Sequence, residues 1–174
     1  MRKPTVHIAS DHAGLDLKNA IQQYLIDNDY LITDHGAFDV NPDDDYPDFI
    51  APVARAVSES VGLMDGEEGV SDSFSATVGI ILGGSGQGEA IVANRFPNVR
   101  AIVFNGQYSP ADGRTVPDVI ETARQHNNAN ILSLGARFLN EEEAIKATKT
   151  FLETEFSGDE RHVRRIKKIE NINL

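Results

Sequence analysis

The chain contains no cysteine. Disulfides, zinc–thiolate centres and a thiol nucleophile are therefore excluded, and a cytoplasmic location is the expectation. Long apolar runs are also missing: none approaches the roughly 18 residues that a membrane span needs. The opening MRKPTVHIAS passes straight into a strand-like run, without the apolar stretch and cleavage site of a signal peptide. Positive charge is scarce, with 16 Lys and Arg against 27 Asp and Glu and a formal net charge of −11. Such a chain repels nucleic acid and anionic membranes unless its cations are gathered, so neither is an expected partner. The cations gather once, in RHVRRIKK (161–168), where Arg161, Arg164/Arg165 and Lys168 share one helix face. That stretch reads either as a solvated basic helix end or as an anion site sized for one phosphate.

The length of 174 residues, 40% of them hydrophobic and 25% charged, fits one soluble domain spanning 1–174. Short apolar runs read as strands: TVHIAS (5–10), YLITDHG (30–36), TVGIILGG (77–84), VRAIVFN (99–105) and ANILSLGA (129–136). Between them lie helical patterns. AGLDLKNAIQQYLIDND (13–29) repeats Leu17, Ile21, Tyr24 and Leu25 at helical spacing, with Asp11 at the N-cap position. FIAPVARAVSESVGL (49–63) carries Pro52 in its first turns, where proline is tolerated. EAIVANRF, VIETARQHN, EEEAIKATKTFLETEF and DERHVRRIKKIE follow. The segments near 64–76 and 105–118 read as loop insertions. Strands alternating with helices predict an α/β fold with a parallel sheet covered on both faces.

The third strand leaves into Gly83-Gly84-Ser85-Gly86-Gln87-Gly88-Glu89. In open α/β sheets, ligands sit beyond the carboxyl ends of the strands, which is where this loop lies. It lacks the Gly-Lys-Ser/Thr ending of a P-loop. A dinucleotide fingerprint wants glycine where Glu89 stands and an acidic residue about 20 positions on, but no Asp or Glu occurs between Ala90 and Ala111. A structural turn remains open. The alternative is an anion hole: backbone N–H groups that hold charge developing during a reaction. Beside such a hole, Glu89 can take a proton from carbon while the amides hold the enediolate oxygen. The amides and the helix start are expected to favour its ionised form.

Other polar groups admit plain readings. Asp11 and His12 follow the first strand at the same sheet edge, and could be a helix cap and a surface residue. Tyr46-Pro47 could be a turn. Asp43, Asp44 and Asp45 lack the spacing and closing Glu of a calcium loop and read as a solvated loop. His126-Asn127 precede the fifth strand, at the amino edge. They are either structural or serve the site of a second subunit. Arg137 follows the fifth strand, back at the carboxyl edge.

Taken together, SDHAGLDLK, DHGAF, DDDYPDF, GGSGQGEAIVANR, VRAIVF, ARQHNNAN, LGAR and RHVRRI, in that order, closely resemble ribose-5-phosphate isomerase type B, in the ribose/galactose phosphate isomerase family. The resemblance implies a three-layer α/β/α sandwich around a five-stranded, parallel, Rossmann-like sheet. It implies metal-free and cofactor-free aldose–ketose isomerisation of a phosphorylated sugar through an enediol(ate). It also implies a homodimer with shared active sites, a tetramer being open. Many relatives use a cysteine base in the glycine loop; this chain resembles the branch that uses the loop glutamate. Carried over, Glu89 is the base and His126 the acid that opens the sugar ring. Asp11 and His12 hold the sugar, with Asp11 also passing the proton between O1 and O2. Gly84, Ser85, Gly86, Gln87 and Gly88 form the anion hole. Asn127 contacts substrate, Arg137, Arg161 and Arg165 grip the phosphate, and His162 and Tyr46 line the pocket. The two insertions, and SGDE (157–160) before the Arg-His motif, depart from the family pattern. A six-carbon sugar 6-phosphate isomerase and a non-catalytic phosphosugar-binding module remain the alternatives.

Overall fold

The structure, a computed structural model, describes residues 3–62 and 77–172. The expected insertion at 64–76 lies outside the described residues. Five strands, β1 (Thr5–Ser10), β2 (Leu31–Asp34), β3 (Thr77–Gly83), β4 (Ala101–Phe104) and β5 (Ile131–Gly135), form one all-parallel sheet in the order β2-β1-β3-β5-β4. The helices are α1 (Leu15–Asp27), α2 (Tyr46–Gly62), α3 (Gln87–Ala93), α4 (Val119–Asn127), α5 (Glu141–Glu153) and α6 (Glu160–Glu170). No helix among the described residues is long and apolar enough to cross a membrane.

Alternation along the strands builds two cores. Val6 and Ile8 of β1, Val78, Ile80 and Leu82 of β3, and Leu132 and Leu134 of β5 face α1, α4 and α5. Ala9, Ile81 and Ile131 face the other way, onto α2 and α3. This period of two, buried on both faces, is the mark of a central parallel sheet. Because every strand runs the same way, all strand-to-helix turns fall at one edge. From β1 the chain goes first to β2 on one side and then, through α2, to β3 on the other. The gap between β1 and β3 is thus a topological switch point, where α/β proteins bind ligands.

Several boundaries differ from expectation. The helix expected at Ala13 begins at Leu15, because Asp11 caps a separate 3-10 turn, His12–Gly14. The helix expected at Phe49 begins at Tyr46, so Pro52 lies in its interior. The last turn expected of α5 is extended instead, its helix ending at Glu153. The excursion from Asn105 to Asp118 contains only turns, braced by Gln107: its amide donates to the Pro117 carbonyl at 3.0 Å and accepts from the Val119 N–H at 3.0 Å.

Among the described residues, two cations are buried in the framework. Lys18 on α1 is 1% exposed and donates to both Asp34 oxygens at 2.8 Å and to the Ala37 carbonyl at 2.7 Å. The ammonium has three N–H donors, and all are used. Arg124 on α4 donates to the carbonyls of Thr154, at 3.0 Å, and of Ala129, and lies over the Phe151 ring. Burial, with Arg100 nearby, lowers its pKa to about 10, so it stays charged at neutral pH. Lys18→Met should cost about 3 kcal/mol, the low end for breaking a buried pair, because Asp34 keeps some access to water. Urea unfolding of the variant checks this; a loss below about 1 kcal/mol, the scale of an exposed pair, would contradict it.

Candidate active site

At the carboxyl edge, β3 ends in Gly83 and the chain turns through Gly84, Ser85 and Gly86 into α3. Gly86 is the N-cap and has φ 74°, in the left-handed region that favours glycine. The loop is held from behind. The carbonyls of Gly83, Gly84 and Ser85 accept from the Ala136 N–H (2.8 Å), the Arg137 N–H (3.2 Å) and the Asn105 amide (3.1 Å). Ser133 donates to the Gly86 carbonyl at 2.7 Å. In a planar trans peptide the N–H points opposite to the preceding C=O. With those carbonyls turned toward the β4–β5 side, the N–H groups of Gly84, Ser85 and Gly86 face away from it. Gln87, exposed, donates its backbone N–H to the Ser85 hydroxyl at 3.3 Å.

Glu89 stands in the first turn of α3 and is 4% exposed. Its carboxylate folds back over Gly83: a β-carbon at 83 would overlap it. Gly88 is likewise kept bare by Tyr46, since a β-carbon there would come within 2.7 Å of the phenol. The Glu89 pKa is raised above 4.5, chiefly by burial, with a further push from Asp11; its own backbone N–H acts the other way but less strongly. This corrects the expectation of a carboxylate stabilised in its charged form: exclusion of water outweighs the amide.

Asp11, buried at the end of β1, accepts at Oδ1 from the N–H groups of Ala13 (3.0 Å) and Gly14 (3.2 Å). His12, half-buried, is bonded to Asp44, which was expected to be solvated. Asp43 and Asp45 are exposed, but Asp44 turns inward, with its side chain 6% exposed. Asp44 is the main site residue that sequence reading missed; only the motif DDDYPDF, with Tyr46 two places on, offered a signal. The bond to Asp44 raises the His12 pKa; Asp11 adds to this, while partial burial and Arg137 oppose it. Arg137 packs its guanidinium on Gly84. Donor atoms of Asp11, His12 and Asp44 lie within 4.8 Å of one another. Their bonds to each other and to backbone amides already engage them, so the cluster reads as a hydrogen-bonded set.

The remaining predicted residues lie elsewhere. His126 and Asn127 end α4, at the amino edge, exposed. The His126 ring lies 4.3 Å from that of His162, centroid to centroid. His162 is buried near the start of α6 and bonds the Ser157 hydroxyl at 3.0 Å. Burial first, then His126 and Arg161, lower its pKa. Arg161 and Arg165 are exposed on the same helix, Arg161 lying 3.5 Å from Asp159. One chain therefore carries two clusters: Asp11, His12, Asp44, Tyr46, Glu89 and Arg137 at the carboxyl edge, and His126, Asn127, Arg161, His162 and Arg165 around α4 and α6.

A family model described as Ribose/Galactose Isomerase matches residues 6–169. The chain belongs to the ribose/galactose isomerase family. It is 36% identical to ribose-5-phosphate isomerase B of Mycolicibacterium paratuberculosis, over 92% of this chain and 86% of the relative. Among solved structures it is similar to ribose-5-phosphate isomerase B from Mycoplasma genitalium with bound ribulose-5-phosphate, with TM-score 0.77, 34% identity, and 95% and 93% of the two chains covered. It is also similar to that of Clostridium thermocellum, with TM-score 0.77, 35% identity, and 97% and 96% covered.

The raised Glu89 pKa carries a stability consequence. The unfolded carboxyl titrates near 4.5 and the folded one above it, so the folded protein holds the extra proton in that window. Stability then falls as pH rises through the window, and above it the burial penalty is fully present. Glu89→Gln should therefore melt higher than the parent at neutral pH, the gain vanishing below 4.5. A lower melting temperature at neutral pH, with the fold intact by circular dichroism, would contradict it.

Proposed function

We propose that this protein is an aldose–ketose isomerase that interconverts ribose 5-phosphate and ribulose 5-phosphate through an enediol(ate). The observation that carries the reading is the Glu89 carboxylate, buried over Gly83 at the β1–β3 crevice beside outward-turned loop amides. A base that abstracts a proton from carbon near neutral pH needs a pKa brought up toward that pH, and burial moves Glu89 in that direction. Family membership and relatives named ribose-5-phosphate isomerase B support the same reaction.

In this reading Glu89 removes the proton at C2 and returns it at C1. The loop from Gly84 to Gly88 holds the developing oxyanion through its outward N–H groups and the Ser85 hydroxyl, which the Gln87 N–H steadies. Asp11 passes the proton between O1 and O2, while His12 and Tyr46 hold the sugar. His126 gives a proton to the ring oxygen while the O1 hydroxyl loses its own to solvent, so the C1–ring-oxygen bond breaks and the open-chain aldehyde forms before isomerisation. A second subunit brings His126 and Asn127 to the first subunit's crevice, together with Arg161, His162 and Arg165. Arg137 completes the phosphate grip from the carboxyl edge. Among the described residues, the separation of the two clusters within one chain is what favours a homodimer with shared sites. No step calls on a metal or cofactor.

Turnover on ribose 5-phosphate, compared with six-carbon 6-phosphates, tests the substrate. A methylene of fit is worth about 1–3 kcal/mol, so the preferred sugar should lead by roughly ten- to two-hundred-fold. Binding without exchange of the C2 proton in deuterium oxide would indicate a binding module instead. Glu89→Gln should lower kcat by about 10²–10⁴, the usual share of a general base, with KM little changed; full activity would reject Glu89 as base. Mixed, inactive Glu89→Gln and His126→Asn proteins should regain part of the parent's activity as subunits exchange. No recovery, with exchange shown by native mass spectrometry, would reject shared sites.

A further inference from the structure

We propose that Asp44 is a positioning residue for His12, fixing its ring with Nδ1–H toward Asp44 and Nε2 presented to the crevice as a hydrogen-bond donor. This rests on the isomerase reading above.

The geometry is a two-point clasp across 32 residues of chain. Asp44 Oδ2 accepts the His12 backbone N–H at 2.9 Å, and Oδ1 lies 2.5 Å from the His12 Nδ1. An ionised carboxylate only accepts, so the proton between them sits on Nδ1. Anchoring the backbone and the ring of one residue together stops the imidazole from swinging about its side-chain torsions. A tether that merely closed the loop would be complete with the backbone bond; the second oxygen acts on the ring. The segment is shaped for this: of three consecutive aspartates only the middle one turns inward, and Tyr46, on alternate spacing, also reaches the site.

The charged groups facing His12 are Asp44 from the loop, Asp11 from its own turn and Arg137 from beyond β5, with Glu89 beyond Asp11. Asp44 exerts the strongest influence, and it favours the imidazolium, whose Nε2–H can donate to a substrate oxygen as negative charge grows there. The proton stays on His12 throughout, so the reaction's balance is untouched. Asp44 contributes orientation and charge through another residue, as outer hydrogen-bond partners of functional histidines commonly do.

The direct test is the His12 ring itself, observed by ¹⁵N-correlated NMR of the whole protein and assigned with His12→Gln. In the parent, Nδ1 should be protonated and the midpoint should lie above the 6.5 of an ordinary histidine. Asp44→Asn should lower that midpoint. It should reduce kcat on ribose 5-phosphate on the order of ten- to a hundred-fold, the usual loss when an orienting partner is removed. KM should change little, the high-pH limb of the rate profile should move down, and Asp44→Glu should recover part of kcat. A neutral ring in the parent that carries its proton on Nε2 alone, leaving Nδ1 bare, or an Asp44→Asn variant with the parent's midpoint and rate profile, overturns the proposal. The parent spectrum needs neither turnover nor a folded variant. If the parent fails to isomerise sugar phosphates while its ring behaves as described, the isomerase reading fails and the positioning role stands.

Discussion

A carboxylate can lie over the end of a central strand only where that strand offers no side chain. Gly83 provides the space, and the Glu89 carboxylate fills it, shielded from water and next to Asp11. The same placement raises the carboxyl's proton affinity and puts it at the topological switch point. Much of the surrounding architecture maintains this contact. Asn105, Ser133 and the N–H groups of Ala136 and Arg137 pull the loop carbonyls to one side, and Gly88 leaves room for Tyr46. Burying a charged group of this kind costs stability, a common feature of active sites.

How much of this was legible in the residues differs by element. The three inner strands announced themselves as β-branched runs because both their faces are buried, which makes the apolar signal continuous. Helix starts were less legible. Asp11 was read correctly as a cap, but what it caps is a 3-10 turn, since its carboxylate serves Ala13 and Gly14 before the α-helix begins. Tyr46 and Pro47 looked like a turn because three aspartates precede them, yet both belong to α2. At the site, Glu89, Asp11 and Arg137 were placed at one edge by topology alone. Asp44 was not, because its inward turn depends on a partner 32 residues away, and three adjacent aspartates give no local cue to which one is used. The Glu89 pKa was misread for a related reason: a sequence shows the helix start but not the packing that excludes water.

The two clusters obey different physics. At the carboxyl edge Asp11 and Glu89 are buried, and Asp11 and Asp44 accept from backbone N–H groups, while Arg137 is exposed. Around α4 and α6, His126, Asn127, Arg161 and Arg165 are exposed, and only His162 is enclosed. Arg124, buried two residues before His126, fixes the end of α4 through the carbonyls of Ala129, just past the helix, and of Thr154, beyond α5. The exposed histidine is thus carried on a firmly held helix end, which suits the ring-opening role proposed for it.

The Gln107 brace makes the excursion before α4 a nearly closed ring, shut at its base by one amide. The brace is itself anchored on the first N–H of α4, so residues beyond Gln107 can vary without touching the contact that seats the helix start. Doubling the length of a flexible loop costs only about 0.6 kcal/mol of closure entropy. The excursion is therefore where this scaffold can accept grafted sequence, such as a tag, an epitope or a small module, while α4 keeps its bearing.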